Sequence, residues 1–489
     1  MMIWFEILAG ILTDILYFYC ACMLVFYVLF AMISIGETLR NYKKNNSTDY
    51  SLLATSEHGP SVSIIAPGYN EGVGIIDNVR SLLAMYYSNL EIIIVNDGST
   101  DKSLQKLIIA YELYKVDFFV EKVLPAKQVR GVYKSINPVY KKLIVVDKEN
   151  GGKADALNAA INIASKDYIV AIDVDCILEQ DALLKIIKPL IDYPKVRVIA
   201  SGGVVRIANS CVVEDGKLVK VNLPKNYLAR VQTLEYLRSF LLGRMAWTRL
   251  NGLLLISGAF GAFDKEIVIK CGGYNTNTVG EDMELIVRMR RYMVEKNEPH
   301  CVKYIPDPLC WTEAPSTYKI LGRQRNRWMR GTIETLLAHK IICFNKRYGL
   351  MGFVSYPYWF FFEMLGPAVE FIGFIIFLSA TILGIIKWSF FFSMLLFMIS
   401  FGCMYSAFAI LMEVLSYHQY KRPSDILKLL LVAITEPFLF HPFMVWSSIR
   451  GITDYFRNKK SWGEMTRSGF GTDISELKPG ILNAHYRKV

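Results

Sequence analysis

The sequence predicts an α/β protein: an open mixed sheet with helices on both faces, flanked by α-helical transmembrane segments. Three observations predict it. The β-branched runs 62–65 and 92–95 have the composition of strands buried on both faces. Helix-patterned stretches follow each, at about 75–85 and 103–113, which is the βαβ texture of such a sheet. Hydrophobic residues make up 53% of the chain and concentrate in 3–35 and 351–449, on either side of that texture.

Each element follows in order. Residues 15–35 form an apolar run of about 20, the length a helix needs to cross a bilayer. Glu6 and Asp14 precede or open it, and Arg40, Lys43 and Lys44 follow it. The positive-inside rule therefore places the N-terminus outside and the chain from 40 onward in the cytosol. Acid rather than Lys or Arg in the first residues argues against a secretory signal peptide. A polar linker, 41–60, leads into the soluble part. Further strands are expected at 143–146, 168–172 and 196–203, with a hairpin turn at Asp215-Gly216. After 351 we expect spans at 365–386, 390–412 and 427–446, preceded by an interfacial stretch, 353–364, whose Tyr356, Tyr358 and Trp359 suit headgroup depth. Three such spans would leave the basic tail (Arg450, Arg457, Lys459, Lys460, Arg467) outside, against the charge rule. Either a fourth crossing exists or one span is re-entrant, and Pro437 and Pro442 single out the last. The expected divisions are 1–39, 40–315, 316–364, 365–449 and 450–489.

The net charge of +11 raises nucleic-acid binding, but basic residues are mixed with acids or flank apolar runs, and no basic helix or zinc spacing occurs. Nucleic acid is not an expected partner. The nine cysteines have neither CxxC nor metal spacing and read as small buried hydrophobes.

The chemistry-bearing residues sit where strands end. Asp173-Val174-Asp175 follows the strand 168–172; side chains two apart leave a strand on one face, and two carboxylates there suit Mg²⁺ or Mn²⁺. A DxD alone is weak, but this one lies at the strand end where open α/β sheets bind ligands. Asn96-Asp97-Gly98-Ser99-Thr100-Asp101 and Pro67-Gly68-Tyr69-Asn70-Glu71 end the other strands, and read equally as capped turns. Asn150-Gly151-Gly152-Lys153 opens a helix with a glycine turn and a lysine, a phosphate-type arrangement that lacks P-loop spacing. Glu281 and Asp282 start a helix, either as dipole-stabilised acids or with a general base among them. Gln324, Arg327 and Trp328 share one helix face; Arg323, Arg325 and Arg330 read as facing lipid headgroups.

Taken in order, VNDGSTD, NGGK, DVD, SGAFGAF, GED and QRNRW resemble the motifs of the processive membrane members of family 2 glycosyltransferases, of GT-A fold. Cellulose, hyaluronan, chitin and poly-N-acetylglucosamine synthases are the relatives. The resemblance covers about 60–335. It implies a UDP-sugar donor, UDP-glucose or UDP-N-acetylglucosamine, a growing polysaccharide as acceptor, and Mg²⁺ or Mn²⁺. It implies Asp282 as catalytic base and Asp175 as metal ligand. Pro67, Tyr69, Glu71, Asp97, Lys153, Asp173 and Arg327 would hold the donor; Gly258, Glu281, Gln324 and Trp328 would hold the acceptor. It implies a multi-pass protein of the plasma membrane with a cytosolic catalytic domain; accessory export subunits stay open. The alternatives are a single transfer to a lipid carrier, which generally lacks a QxxRW sequence, and a transporter with a ligand-binding domain. The chain departs from the pattern at Gly280, where threonine is usual, at Gly68, where alanine is common, and in a long 114–142 connection.

Overall fold

The computed structural model describes residues 2–46, 48–55, 59–192, 196–214 and 216–459. The strands are β1 (Val62–Gly68), β2 (Leu90–Asp97), β3 (Leu113–Val116), β4 (Val129–Ser135), β5 (Leu143–Lys148), β6 (Tyr168–Ile172), β7 (Ile177–Leu178), β8 (Arg197–Ile207), β9 (Val212–Glu214), β10 (Lys217–Lys220), β11 (Phe260–Asp264) and β12 (His300–Thr312). Ten of them form one sheet in the order β3-β4-β5-β2-β1-β6-β11-β8-β12-β7. β9 and β10 pair separately as the expected hairpin.

The central strands β5, β2, β1 and β6 are parallel, and β11 runs antiparallel between β6 and β8. Their apolar runs are continuous because both faces are covered: every residue of β2 and β5 is buried. From β1 the chain moves to β2 on one side, and from β5 it returns across β2 and β1 to β6 on the other. Right-handed crossovers in opposite directions put the connecting helices Ile75–Leu83 and Lys153–Ile163 on opposite faces. The loops after β1 and β6 diverge at this switch point, where such sheets form a ligand crevice. They stay close: a Cβ on Gly68 would lie 3.2 Å from Val174 Cγ1. The long 114–142 connection forms the antiparallel extension β3–β4 at the sheet edge. The helix expected over 103–113 stops at Ala110, because Leu113 starts β3.

The N-terminal helix runs unbroken from Met2 to Asn46. Among the described residues, two helical stretches are long and apolar enough to cross a membrane, Thr13–Asn45 and Phe391–Ser416; two further pairs qualify only if each bent pair is one span. The first pair, Met351–Met364 with Gly366–Ile382, bends by 42°. The expected single helix over 427–446 is not formed. It breaks between Pro423–Leu439 and His441–Phe456, with a bend of 51°. Pro442, at the start of the second helix, has no N–H to continue the ladder. Pro437 likewise leaves the Ala433 carbonyl free, and the Cys403 thiol donates to it at 3.5 Å.

Both halves of this pair touch the catalytic side. Thr435 bonds Tyr227 at 3.0 Å, and Arg238 Nη1 donates to Glu436 and to Ser406 at 2.8 Å each. At the other end Asn326 donates to Asp454 at 2.9 Å, and Arg330 to the Lys459 carbonyl. The end of the described chain, through Asp454 and Lys459, thus lies against the helix Tyr318–Ala338; residues 460–489, with Lys460 and Arg467 of the basic tail, lie outside the described residues.

One ion pair in this seam is almost wholly enclosed: Arg206 of β8 with Glu413 of the helix Trp388–Ser416. Removing one partner strands a buried charge. We expect Arg206→Ala to destabilise the detergent-solubilised protein by about 3–5 kcal/mol, read as a lowered thermal midpoint, with Arg206→Ala/Glu413→Leu recovering part of it.

Candidate active site

The carboxyl ends of β1, β2, β5 and β6 and the amino end of β11 meet at one sheet edge, as their registers require. The loops there are stapled together. Asn70, in a left-handed conformation at φ 57°, donates its N–H to Ser99 Oγ at 3.0 Å, and its side-chain oxygen accepts from the Thr100 amide at 2.8 Å. Gly72 N–H donates to Asp101 at 3.0 Å. The two turns therefore bind each other, while the N-cap residues of the helices that follow, Gly74 and Lys102, make no side-chain cap hydrogen bond. Tyr69 stands half exposed above them, with Pro67 and Glu71 partly covered.

Asp97 turns inward and is 3% exposed. Its Oδ1 accepts from Lys148 Nζ at 2.6 Å and the Gly151 amide at 3.0 Å, and its Oδ2 from the Gly152 amide at 2.8 Å. The glycine-turn amides that the sequence offers to a phosphate are thus given to Asp97 instead. Gly152, at φ 88°, adopts a backbone that favours glycine. Lys148, wholly buried, also pairs with Asp155 at 2.6 Å. Lys148 is not among the residues the sequence singles out; its signal there is a charged pair, Asp147-Lys148, closing an apolar strand.

Asp173 and Asp175 lie on a tight turn closed by Cys176 N–H to the Asp173 carbonyl at 2.9 Å, not on the strand itself. The turn, rather than the pleat, brings the two carboxylates together. Ligand atoms of Asp173, Asp175 and Cys176 lie within 4.8 Å of one another. A hydrogen bond with Cys310 and burial push the Cys176 thiol well up. The donor set is two carboxylates, and hard oxygen donors fit Mg²⁺ or Mn²⁺.

Lys153, in the first turn of its helix, reaches Asp173, the Gly258 carbonyl at 3.3 Å and Glu281 at 3.7 Å. Burial works against its charge, but Asp173 and Glu281 outweigh that and raise its pKa. Glu281 is 4% exposed. Burial pushes its carboxyl up, Lys153 pulls it down, Asp282 adds to the rise, and Arg327 opposes it. Asp282 Oδ2 accepts from the Gly258 amide at 3.0 Å, and Oδ1 from Met283 N–H at 2.9 Å. A side chain at 258 would crowd both Lys153 Nζ and Asp282. The structure therefore gathers Lys153, Asp173, Asp175, Gly258, Glu281 and Asp282 around one point.

The helix Tyr318–Ala338 docks on this cluster through two glycines. A Cβ on Gly331 would sit 2.7 Å from Gly280 Cα, and a Cβ on Gly280 the same distance from Gly331 Cα. This accounts for glycine where threonine is usual. Glu334 secures the contact by accepting from Thr278 Oγ1 at 2.7 Å and Val279 N–H at 2.9 Å. We expect Gly331→Ala to cost about 1–3 kcal/mol by overpacking and to lower turnover; an unchanged thermal midpoint in detergent would show that the helices part freely.

On the same helix Arg327 lies near Glu281, Gln324 is partly covered and Trp328 is 39% exposed. Arg325 and Arg330, read from sequence as facing headgroups, are buried. Arg325 pairs with Glu235, and Arg330 bonds Asn326 and the Lys459 carbonyl. The Glu235 carboxylate of another helix and the Lys459 carbonyl beyond the last helix bind them inside the protein.

A sheet-edge acid pair, a lysine, and a further acid held by a backbone amide thus meet at one place. The chain belongs to the glycosyltransferase-like family 2, whose model matches residues 60–331; a chitin synthase model matches 265–471. The poly-beta-1,6-N-acetyl-D-glucosamine synthase of Staphylococcus epidermidis is 29% identical over 319 residues, 64% of this chain and 66% of that protein. The enzyme of the same name from Staphylococcus aureus is 28% identical over 327 residues, 66% of each. The match thus spans just under two thirds of these relatives. Among solved structures, a mannosyltransferase from Pyrobaculum calidifontis in complex with GDP-Man and Mn²⁺ is 16% identical, with a TM-score of 0.47, covering 89% of this chain and 99% of that one.

Proposed function

We propose that this chain is a processive, inverting polysaccharide synthase of the plasma membrane. It polymerises N-acetylglucosamine from UDP-N-acetylglucosamine into a β-linked chain and passes it across the bilayer. The observation that carries this is the docking of the Arg327–Trp328 helix onto the acid that would activate the acceptor, through Gly280 and Gly331. The activity for which the staphylococcal relatives are named supports N-acetylglucosamine over glucose.

Asp282 is the base. The Gly258 and Met283 amides fix its carboxylate, so one oxygen lone pair faces an acceptor hydroxyl. That hydroxyl attacks the anomeric carbon, the bond to UDP breaks on the opposite face, and the hydroxyl proton passes to Asp282. Asp175, with Asp173, would hold Mg²⁺ or Mn²⁺, which supplies charge neutralisation at the diphosphate when bound. Lys153 holds Asp173 in place, and Arg327 binds the leaving diphosphate. Pro67, Tyr69 and Glu71 line the nucleoside side. Asp97 acts there through the Asn150–Gly152 turn it fixes. Gly258, Glu281, Gln324 and Trp328 receive the acceptor end.

The catalytic domain lies in the cytosol, where the donor is made. The spans Thr13–Asn45, Met351–Ile382 and Phe391–Ser416 cross, while the pair 423–456 enters and returns on the same side. The test is to supply detergent-purified protein with UDP-N-acetylglucosamine, UDP-glucose and other UDP-sugars plus Mn²⁺, then to size the product and digest it with linkage-specific hydrolases. A polymer from UDP-N-acetylglucosamine is expected; a single-sugar lipid conjugate would overturn processivity.

Trp328 is the residue to probe for processivity. An indole face accepts each successive sugar ring, whereas a hydrogen bond fixes one position. We expect Trp328→Ala to shorten the polymer with little change in UDP binding. Full recovery by Trp328→Phe, with loss of folded protein in Trp328→Ala, would instead mark Trp328 as a membrane-interface anchor.

A further inference from the structure

The half-exposed indole of Trp328 is supported on one face. The Arg325 guanidinium carbon lies 4.3 Å from the ring centroid. That guanidinium is itself fixed: its Nη1 and Nη2 donate to the two carboxylate oxygens of Glu235 at 2.6 Å each. Glu235 sits on the helix Tyr227–Leu237, distant in sequence from the motif, and nothing in the motif pattern points to it. The same helix is tied at its end to Glu436 through Arg238.

The contacts therefore run from carboxylate to guanidinium to indole, and Trp328 stays 39% exposed. A bidentate fork holds the guanidinium plane in one orientation, which a lysine ammonium would not do. A flat cation stacked on the indole restrains the orientation of the ring. The Arg325 side chain is 5% exposed, so it has no direct access to a sugar.

We propose that Glu235 is a positioning residue for the polymer end: it holds Arg325, which holds the Trp328 ring in the plane that receives each sugar. The inference rests on the proposed acceptor role of Trp328. Arg325 is not a general headgroup anchor in this arrangement, and Glu235 touches neither donor nor acceptor.

The test uses the full chain in detergent with UDP-N-acetylglucosamine and Mn²⁺, reading UDP release and product length separately. Glu235→Gln should shorten the product about two- to fivefold, the range a cation–π contact at a partly exposed ring carries, with the KM for UDP-N-acetylglucosamine unchanged. Glu235→Asp should recover part of the length. In the Trp328→Ala background, Glu235→Gln should have no further effect, because the ring it positions is gone. Should Glu235→Gln fold poorly, Arg325→Lys tests the same link and should give the same shortening and the same absence of effect without Trp328. Equal shortening with and without Trp328 would overturn the inference, as would full length in Glu235→Gln or Arg325→Lys while Trp328→Ala shortens the product. If Trp328→Ala itself gives full-length product, the acceptor role of Trp328 fails, and the inference with it.

Discussion

Asp282→Asn is expected to lower kcat by about 10²–10⁴-fold, the usual contribution of a positioned base, while the KM for the UDP-sugar changes little. The amide oxygen of asparagine can still accept from Gly258 or Met283, which at present hold the carboxylate at 3.0 and 2.9 Å. The first turn of its helix is therefore kept, and only the proton acceptor is lost. An effect confined to the transition state lowers kcat and kcat/KM together. The check is steady-state UDP release at several donor concentrations, with donor affinity measured separately by titration. A variant that kept its rate at saturating donor but lost donor affinity would make Asp282 a binding residue. Glu281, one residue away and more deeply buried, would then be the next group to test.

Asp175→Asn should remove nearly all turnover, by roughly 10²-fold or more, since even outer partners of a metal site are worth about 10–100-fold. Asp175 is 7% exposed and shares a tight turn with Asp173. Asp173 is shared with Lys153, and the carboxylate of Asp175 lies close enough to it for both to hold one cation. The loss should show as a weaker Mn²⁺ signal in direct titration of the protein with UDP, besides lost activity. Wild-type turnover should stop in excess EDTA and return with added Mn²⁺. Substantial turnover in EDTA would overturn the metal role of this pair.

Strand ends were legible because they are local. The runs at 62–65, 92–95, 143–146 and 168–172 are apolar and β-branched, and the structure has a strand at each. Polar groups directly after parallel strands lie at one edge of the sheet, so the sequence alone placed 67–71 and 96–101 at one edge and 173–175 at a strand end, whereas 150–153 read only as a glycine turn opening a helix. It could not say how each would turn. Asp97 reads the same whether it faces a ligand or its own sheet, and only Lys148 and the glycine amides decided that it faces inward. Arg325 and Arg330 were misjudged for the same reason. A helical wheel shows which side a residue takes, not what stands opposite, and here Glu235 and the Lys459 carbonyl stand there.

The sequence by itself determined the class of sheet, the order of its chemistry and the apolar segments at each end, because these rest on short-range periodicity and strand-end composition. The tertiary structure alone decided which residues meet. It brought Gly280 against Gly331, seated Asp282 on the Gly258 amide, and bent the last helix pair by 51° between Leu439 and His441. Such meetings join residues tens to hundreds of positions apart. They are set by close packing and by the need of every buried charge and amide for a partner, and no local pattern in the chain records which partner that is.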